Sequence, residues 1–85
     1  QQFRITEDNP YLGKDCLHVF MDMKQKYDAI FMGISKKEND KWVLYKNPSS
    51  DFTVEEEDYL IIVSNIEART LIEDDFGVEE GKLFK

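Results

Sequence analysis

The sequence predicts an α+β fold, with one small, mostly antiparallel sheet and a helix packed on one face, in the order strand, helix, hairpin, strand, helix. Three observations carry this. Apolar residues recur at steps of three and four from about residue 12 to residue 27, the period of an amphipathic helix. Two runs rich in β-branched and aromatic residues, "AIFMGIS" at 29–35 and "DYLIIVS" at 58–64, read as strands. A helix-start signal at Asn65 and a helix-stop signal at Gly77 bracket "IEARTLIEDDF".

Taken in order, "FRIT" at 3–6 alternates apolar and polar residues, as a half-buried strand does. "EDNPYLG" breaks it, because Asn9-Pro10 bends the chain and Gly13 frees the backbone. In the helix that follows, Leu12, Cys16, Val19, Phe20, Met23 and Tyr27 share one face, and Lys14, Asp15, Asp22 and Gln25 take the other. Lys24 and Lys26 fall in its last turn, where cations suit the helix dipole. "AIFMGIS" is apolar almost throughout and is expected to be covered on both faces. "KKEND" is a polar turn and "KWVLYK" at 41–46 the next strand, giving a hairpin with a loop of about five residues. Pro48 ends that strand, since it cannot donate to a ladder. In the second helix Glu67 and Glu73 face solvent. "VEEGKLFK" at 78–85 is a further short helix or an irregular tail, and its Leu83 and Phe84 need cover.

The 85 residues suffice for one small domain, 1–85, which buries only about 60–65% of its unfolded surface. Docking onto a partner or a second copy is therefore useful to it. The sequence opens on Gln1-Gln2 without an initiating Met and is expected to be a piece of a longer protein. Residues 1–50 hold eight basic and seven acidic groups, a net of +1; residues 51–85 hold three and eleven, a net of −8. Such an acidic half repels phosphates and anionic lipid, so no nucleic-acid partner and no direct membrane insertion are expected. A cation, or a basic face on a neighbour, fits better. No apolar run approaches a membrane span and no signal peptide is visible, so a reduced, cytoplasmic setting is expected.

Candidate chemistry is sparse. Cys16 is the only cysteine, which excludes an intrachain disulfide and a cysteine-based zinc site; it reads as a buried core thiol. His18 is the only histidine, and two residues from Cys16 on a helix it points elsewhere, so a Cys–His catalytic pair is not expected. The glycines at 13, 33, 77 and 81 form no phosphate loop. The run Glu55, Glu56, Glu57, Asp58 is a metal site, a solvated turn or part of a structural motif; it lacks the alternation and central glycine of an EF-hand. "EDDFGVEE" at 73–80 concentrates oxygen ligands around a turn, so Asp74, Asp75, Glu79 and Glu80 are the candidate ligands for a divalent cation such as calcium. Met21, Met23 and Met32 pack in the core or line an adaptable apolar interface. No nucleophile–base spacing suggests an enzyme.

"NPYLGKDCLHVFMDMKQKYDAIFMGISKK" resembles the segment that opens RCK C-terminal domains, also called TrkA-C domains. There a leucine-glycine-lysine leads into a short helix, and a tyrosine precedes an apolar strand that ends near basic residues. "WVLYKNPSSDFTVEEEDYLIIVSN" resembles the remainder: a strand, an Asn-Pro, a spacer, then an acid before a run of aliphatics. The family's spacer usually ends in Gly-Asp; here Glu57-Asp58 stands in its place, keeping the aspartate as a turn residue before a buried strand. The resemblance spans about residues 3–72.

The resemblance implies a non-catalytic regulatory domain that senses a ligand, dimerises, and controls a potassium channel within a ring formed with its own N-terminal RCK half and a membrane pore. The same fold in a cation antiporter or other transporter, or as a purely structural dimerisation module, is the alternative. Met23, Ile30 and Met32 are expected in or near the dimer contact, with Lys24 at the ligand cleft. Family members that bind cyclic di-AMP place an arginine late in the helix and an asparagine early in the next strand. Lys24 and Ile30 occupy the matching positions, and loss of a polar partner costs about 1–3 kcal/mol. Calcium, another cation or no ligand at all is therefore expected in preference to cyclic di-AMP.

Overall fold

A computed structural model describes residues 1–81. Its elements are β1 (Gln2–Arg4), α1 (Cys16–Tyr27), β2 (Ile30–Glu38), β3 (Lys41–Lys46), β4 (Tyr59–Val63) and α2 (Ile66–Phe76). The four strands form one sheet in the order β1-β4-β2-β3, with every neighbouring pair antiparallel. β1 and β2 both run opposite to β4 and hence parallel to each other, so β1-α1-β2 is a βαβ unit split by an inserted strand. The expected α+β class and element order hold.

Local chemistry sets each boundary. The first helix starts at Cys16 rather than near residue 12, because Gly13 sits at φ +79° and the extended Asp15 is the cap. The Asp15 carboxylate accepts the His18 N–H at 2.8 Å. Asp28, left-handed at φ 52°, ends the helix. Leu12 lies before the helix, and both Leu12 and Phe20 are exposed, so the buried stripe is narrower than the sequence suggests: Cys16, Val19, Met23 and Tyr27. In the second helix the Asn65 side chain accepts the Ala68 N–H at 2.7 Å and Gly77 caps the end at φ +71°, both as expected.

The hairpin is tighter than expected. Asn39 and Asp40, at φ 51° and 63°, form a two-residue turn of the primed kind, and Lys36, Lys37 and Glu38 extend β2 instead of joining a five-residue loop. Gly33 is required where it stands. A Cβ there would meet the Tyr45 carbonyl oxygen of β3 at 2.5 Å. Just before it β2 bulges, so that Met32 and Gly33 together oppose Ile61.

One core joins the sheet's inner face to both helices. Phe3, Phe31, Ile34, Leu60 and Ile62 pack against Val19, Met23 and Tyr27 of α1 and Ala68, Ile72 and Phe76 of α2. Met23 is fully buried in this core, which corrects its placement at a dimer contact. After Gly77 the chain makes no further helix up to residue 81, and the Gly81 N–H donates to the Gln2 carbonyl at 2.8 Å. Leu83 and Phe84 lie outside the described residues.

Replacing Gly33 by alanine should cost about 1–3 kcal/mol, the range for forcing an extra carbon into a closed backbone contact. Thermal unfolding of the variant checks this; an unchanged midpoint would mean that β2 and β3 can separate at no cost.

Candidate functional site

The sheet is covered on one side only. Strand alternation and the bulge put Ile30, Met32, Trp42, Leu44, Ile61 and Val63 on the face opposite the helices. Of these, all but the partly buried Ile61 are about half exposed, from 44% for Ile30 to 54% for Val63. The expectation that "AIFMGIS" is covered on both faces is therefore corrected: Phe31 and Ile34 point into the core, Ile30 and Met32 out of it. Tyr59, buried although it lies on this outer face, is covered by Trp42, whose ring meets it edge-on at 5.1 Å.

Lys24 stands at the end of α1, exposed, with its ammonium 2.6 Å from the Asp28 carboxylate one turn on. That contact holds the Asp28 carboxyl below the usual carboxylate range. Of the four cleft residues expected from the sequence, Lys24, Ile30 and Met32 reach the surface and Met23 does not.

A groove of about 260 Å³ runs between α1 and the connection after β3, lined by Cys16, Leu17, Phe20, Phe31, Asn47, Pro48 and Ser50. Its walls are mainly apolar and aromatic, with Asn47 and Ser50 as polar groups. It is adjacent to the sheet face, since Phe31 precedes Met32 and the Asn47 N–H donates to the Met32 carbonyl at 2.8 Å. Burial pushes the Cys16 thiol up to about 11, with Lys36 pulling it down less strongly. This cysteine is a neutral wall of the groove and not an activated nucleophile.

The four consecutive acids divide into different roles. Asp58 is buried and its carboxylate accepts from the Lys36 ammonium at 2.6 Å and the Glu55 N–H at 2.8 Å. Lys36, also buried, reaches Glu55 at 2.9 Å as well. Burial raises the Asp58 carboxyl, and the bonds from Lys36 and Glu55 only partly counter it. Burial also weighs against the Lys36 charge, but its bonds to Asp58 and Glu55 outweigh that and leave its pKa raised. Asp58 thus serves as a structural acid, as the motif reading had it. Its partner Lys36, placed in a polar turn by the sequence reading, was missed; a lysine two residues beyond Ile34 on the same strand face was the available signal.

The candidate cation ligands do not gather. Asp75 accepts from the Tyr27 hydroxyl and pairs with Lys26 at 3.4 Å. One Glu80 oxygen accepts the Gln2 N–H at 3.1 Å, and the Glu80 N–H turns back to Glu73 at 2.8 Å. Asp74 lies in a polar hollow with Glu7, Asp8 and Glu56, and no group of three or more metal-ligating side chains forms among the described residues. The reason is that Asp75 belongs to a helix–helix contact, while Glu79 and Glu80 lie beyond the Gly77 cap. A second tyrosine, Tyr11, donates to Asp22 and lies edge-on to Phe76. Burial, then the neighbouring carboxylate, raises the pKa of both Tyr11 and Tyr27.

No family model and no curated protein matches the sequence. Solved structures do match the fold. The RCK_C domain dimer of S. agalactiae BusR in complex with c-di-AMP aligns with a TM-score of 0.66 at 17% identity, over 96% of this chain and 94% of that one. The chain has the fold of an RCK C-terminal domain. S. agalactiae BusR in complex with its busAB-promotor DNA aligns equally well, at 0.66 and 17%, over 96% of this chain. It aligns again in complex with its busA-promotor DNA, at 0.65 and 17%. This chain spans only 37% and 36% of those two longer chains. Because the longer BusR is in complex with DNA, the expectation of no nucleic-acid partner is corrected in scope: it was drawn from the charge of this domain and does not extend to a larger protein that carries the fold.

Replacing Lys36 by methionine should cost about 3–5 kcal/mol, because it leaves the Asp58 charge buried without its cation. The double variant Lys36→Met/Asp58→Asn should recover most of that, since no unpaired charge remains and an asparagine oxygen still receives the Glu55 N–H. Urea unfolding of the two variants checks this; equal losses in both would mean that charge is not the cause.

Stability should also fall in alkali. Tyr11 and Tyr27 keep their protons in the fold to a higher pH than in the unfolded chain, where tyrosine titrates near 10. Their contribution is complete below about pH 10 and is lost as pH rises further, because the unfolded state then binds fewer protons. Tyr27→Phe should flatten this fall, as followed by thermal unfolding across the alkaline range.

Proposed function

We propose that this chain is a non-catalytic, cytosolic regulatory domain that dimerises and responds to a small ligand. The observation that carries the reading is the half-exposed apolar sheet face beside an aromatic-walled groove, on a fold seen in BusR as a dimer in complex with c-di-AMP. A lone small domain gains nothing from leaving such a face in water. Lys24 stands exposed at the end of α1, just before the strand that carries Ile30 and Met32, with its ammonium on the exposed Asp28 carboxylate.

The ligand to test first is c-di-AMP. Ile30 offers it no hydrogen bond, and the missing bond, at about 1–3 kcal/mol, weakens binding roughly 5- to 150-fold relative to a site that supplies it. The finer reading, from the sequence resemblance, is that the domain gates a potassium channel from a cytosolic ring. Control of transcription is the second reading, favoured by the BusR complexes with promotor DNA. Under either output the ligand acts only by binding two arrangements of the dimer unequally.

Titration calorimetry of the chain with c-di-AMP, and separately with calcium, tests the ligand. Heat with c-di-AMP that is lost in Lys24→Ala, with stability changed by less than about 0.5 kcal/mol, is the expected result. No heat at millimolar concentration would remove c-di-AMP, and heat with calcium alone would replace it by a cation. Potassium flux and promotor binding by the full-length protein, with and without Lys24→Ala, separate the two outputs.

A further inference from the structure

We propose that the free edge of β3 is a docking site for an extended, acidic segment of another protein, which adds to the sheet as a further strand. This site depends on neither the ligand nor the dimer proposed above. The direction of the β3 backbone groups decides where the segment would bond. Asn39 and Asp40 form a two-residue turn, and past the far end of β3 the Asn47 N–H still donates to the Met32 carbonyl at 2.8 Å. Bonded residues alternate along an antiparallel pair, so Lys41, Val43 and Tyr45 turn their N–H and C=O groups toward β2. Trp42, Leu44 and Lys46 turn theirs away from it, and among the described residues no other backbone group bonds them.

This edge is open and regular. None of the six residues of β3 is buried, and their register with β2 runs without a shift. The opposite edge of the sheet is closed: the Gln2 N–H donates to Glu80 at 3.1 Å, and the Gln2 carbonyl accepts from Gly81 at 2.8 Å. An open, regular edge is a template for strand addition, with backbone bonds giving affinity and alternate side chains giving choice of partner.

Charge selects the occupant. "KWVLYK" has an apolar and aromatic centre between Lys41 and Lys46 and holds no acid, in a chain with a net charge of −7. Neither lysine makes an ion pair among the described residues. Glu38, which stands opposite Lys41, accepts from the Tyr45 hydroxyl instead. A second copy of β3, centred on the first, brings its own lysines to the same two ends in either orientation, so like charges meet. A segment with an acid at each end and apolar residues between them meets opposite charge at both ends. On the outer side it also meets Trp42 and Leu44, each about half exposed.

Amide hydrogen exchange followed by NMR, with and without short blocked peptides, tests this. The first probe alternates valine and threonine with a glutamate at each end. The second has lysine at each end, and the third is the glutamate probe with all its backbone nitrogens methylated. In the free chain the Trp42, Leu44 and Lys46 amides should exchange fast, and those of Val43, Tyr45 and Asn47 slowly. The glutamate probe at millimolar concentration should slow the first three by about tenfold or more. It should bind about fivefold more tightly than the lysine probe, and the methylated probe should change nothing. Equal binding of the lysine probe overturns the acidic partner. No slowing, or slowing that ignores the alternation, overturns the edge. Slowing of the same three amides on concentrating the chain alone assigns the edge to a second copy and overturns the proposal. Leu44→Pro removes the central outward N–H and leaves the bonds to β2 in place. With its circular dichroism unchanged, it should abolish the effect of the glutamate probe on Trp42 and Lys46; a persistent effect in the folded variant overturns the site.

Discussion

The buried pair of Lys36 and Asp58 fixes the path of the chain's longest irregular segment, and much of the fold depends on that path. Residues 47–58 join β3 to β4 with little regular structure of their own. They are held by backbone bonds to elements distant in sequence: Leu17 and Cys16 donate to Ser50 and Phe52, Val54 exchanges bonds with Gly13 and Lys14, and Glu57 and Asp58 bond Ile5. These bonds cap the start of α1 and prolong the line of β1. They form only if the segment ends where Asp58 can receive the Lys36 ammonium, from a strand two places removed from β1 in the sheet. A hydrophobic pair in this place would suit the core as well in energy. The charged pair additionally fixes which residue enters β4, because a slip of one residue would bury an unpaired carboxylate.

That register has a consequence on the other side of the sheet. Once Asp58, Leu60 and Ile62 face inward, Tyr59, Ile61 and Val63 must face outward. Both helices lie on the inner side, and among the described residues nothing is left to cover the outer one. Tyr59 is shielded by Trp42, which consumes the large aromatic of β3 at one end of the face. Toward the other end Ile30, Met32 and Val63 remain half in water. The exposed apolar surface is thus the result of packing two helices and a four-stranded sheet from one short chain.

The class, the element order and both helix ends of α2 were legible in the sequence, because caps and periodicity are local signals. Three features were not. The extent of β2 was hidden because Lys36 looks like a turn residue when its partners, Glu55 and Asp58, are unknown. The bulge at Met32 reverses which side chains face inward, and "AIFMGIS" carries no mark of it beyond Gly33. The scatter of Asp74, Asp75, Glu79 and Glu80 depended on Tyr27, a residue whose hydroxyl could not be aimed from its place on a helical wheel. For the candidate site the sequence found Lys24, Ile30 and Met32 but missed the groove wall at Asn47 and Ser50, which only the folded connection brings to α1.

The bulge also bears on how such a domain can act. Phe31 lines the groove and Met32 the outer face, so consecutive residues of one strand touch the two surfaces that matter. A ligand in the groove has no direct access to a partner lying across the sheet. To influence it, the ligand must favour one position of β2, or of the segment at Asn47 that bonds to Met32. A regular strand would resist such a shift, since its ladder bonds move together. At Met32 one extra residue is already out of register, and the ladder there has least to lose. The irregularity that puts Met32 and Gly33 together on the outer side is therefore the softest link between groove and face.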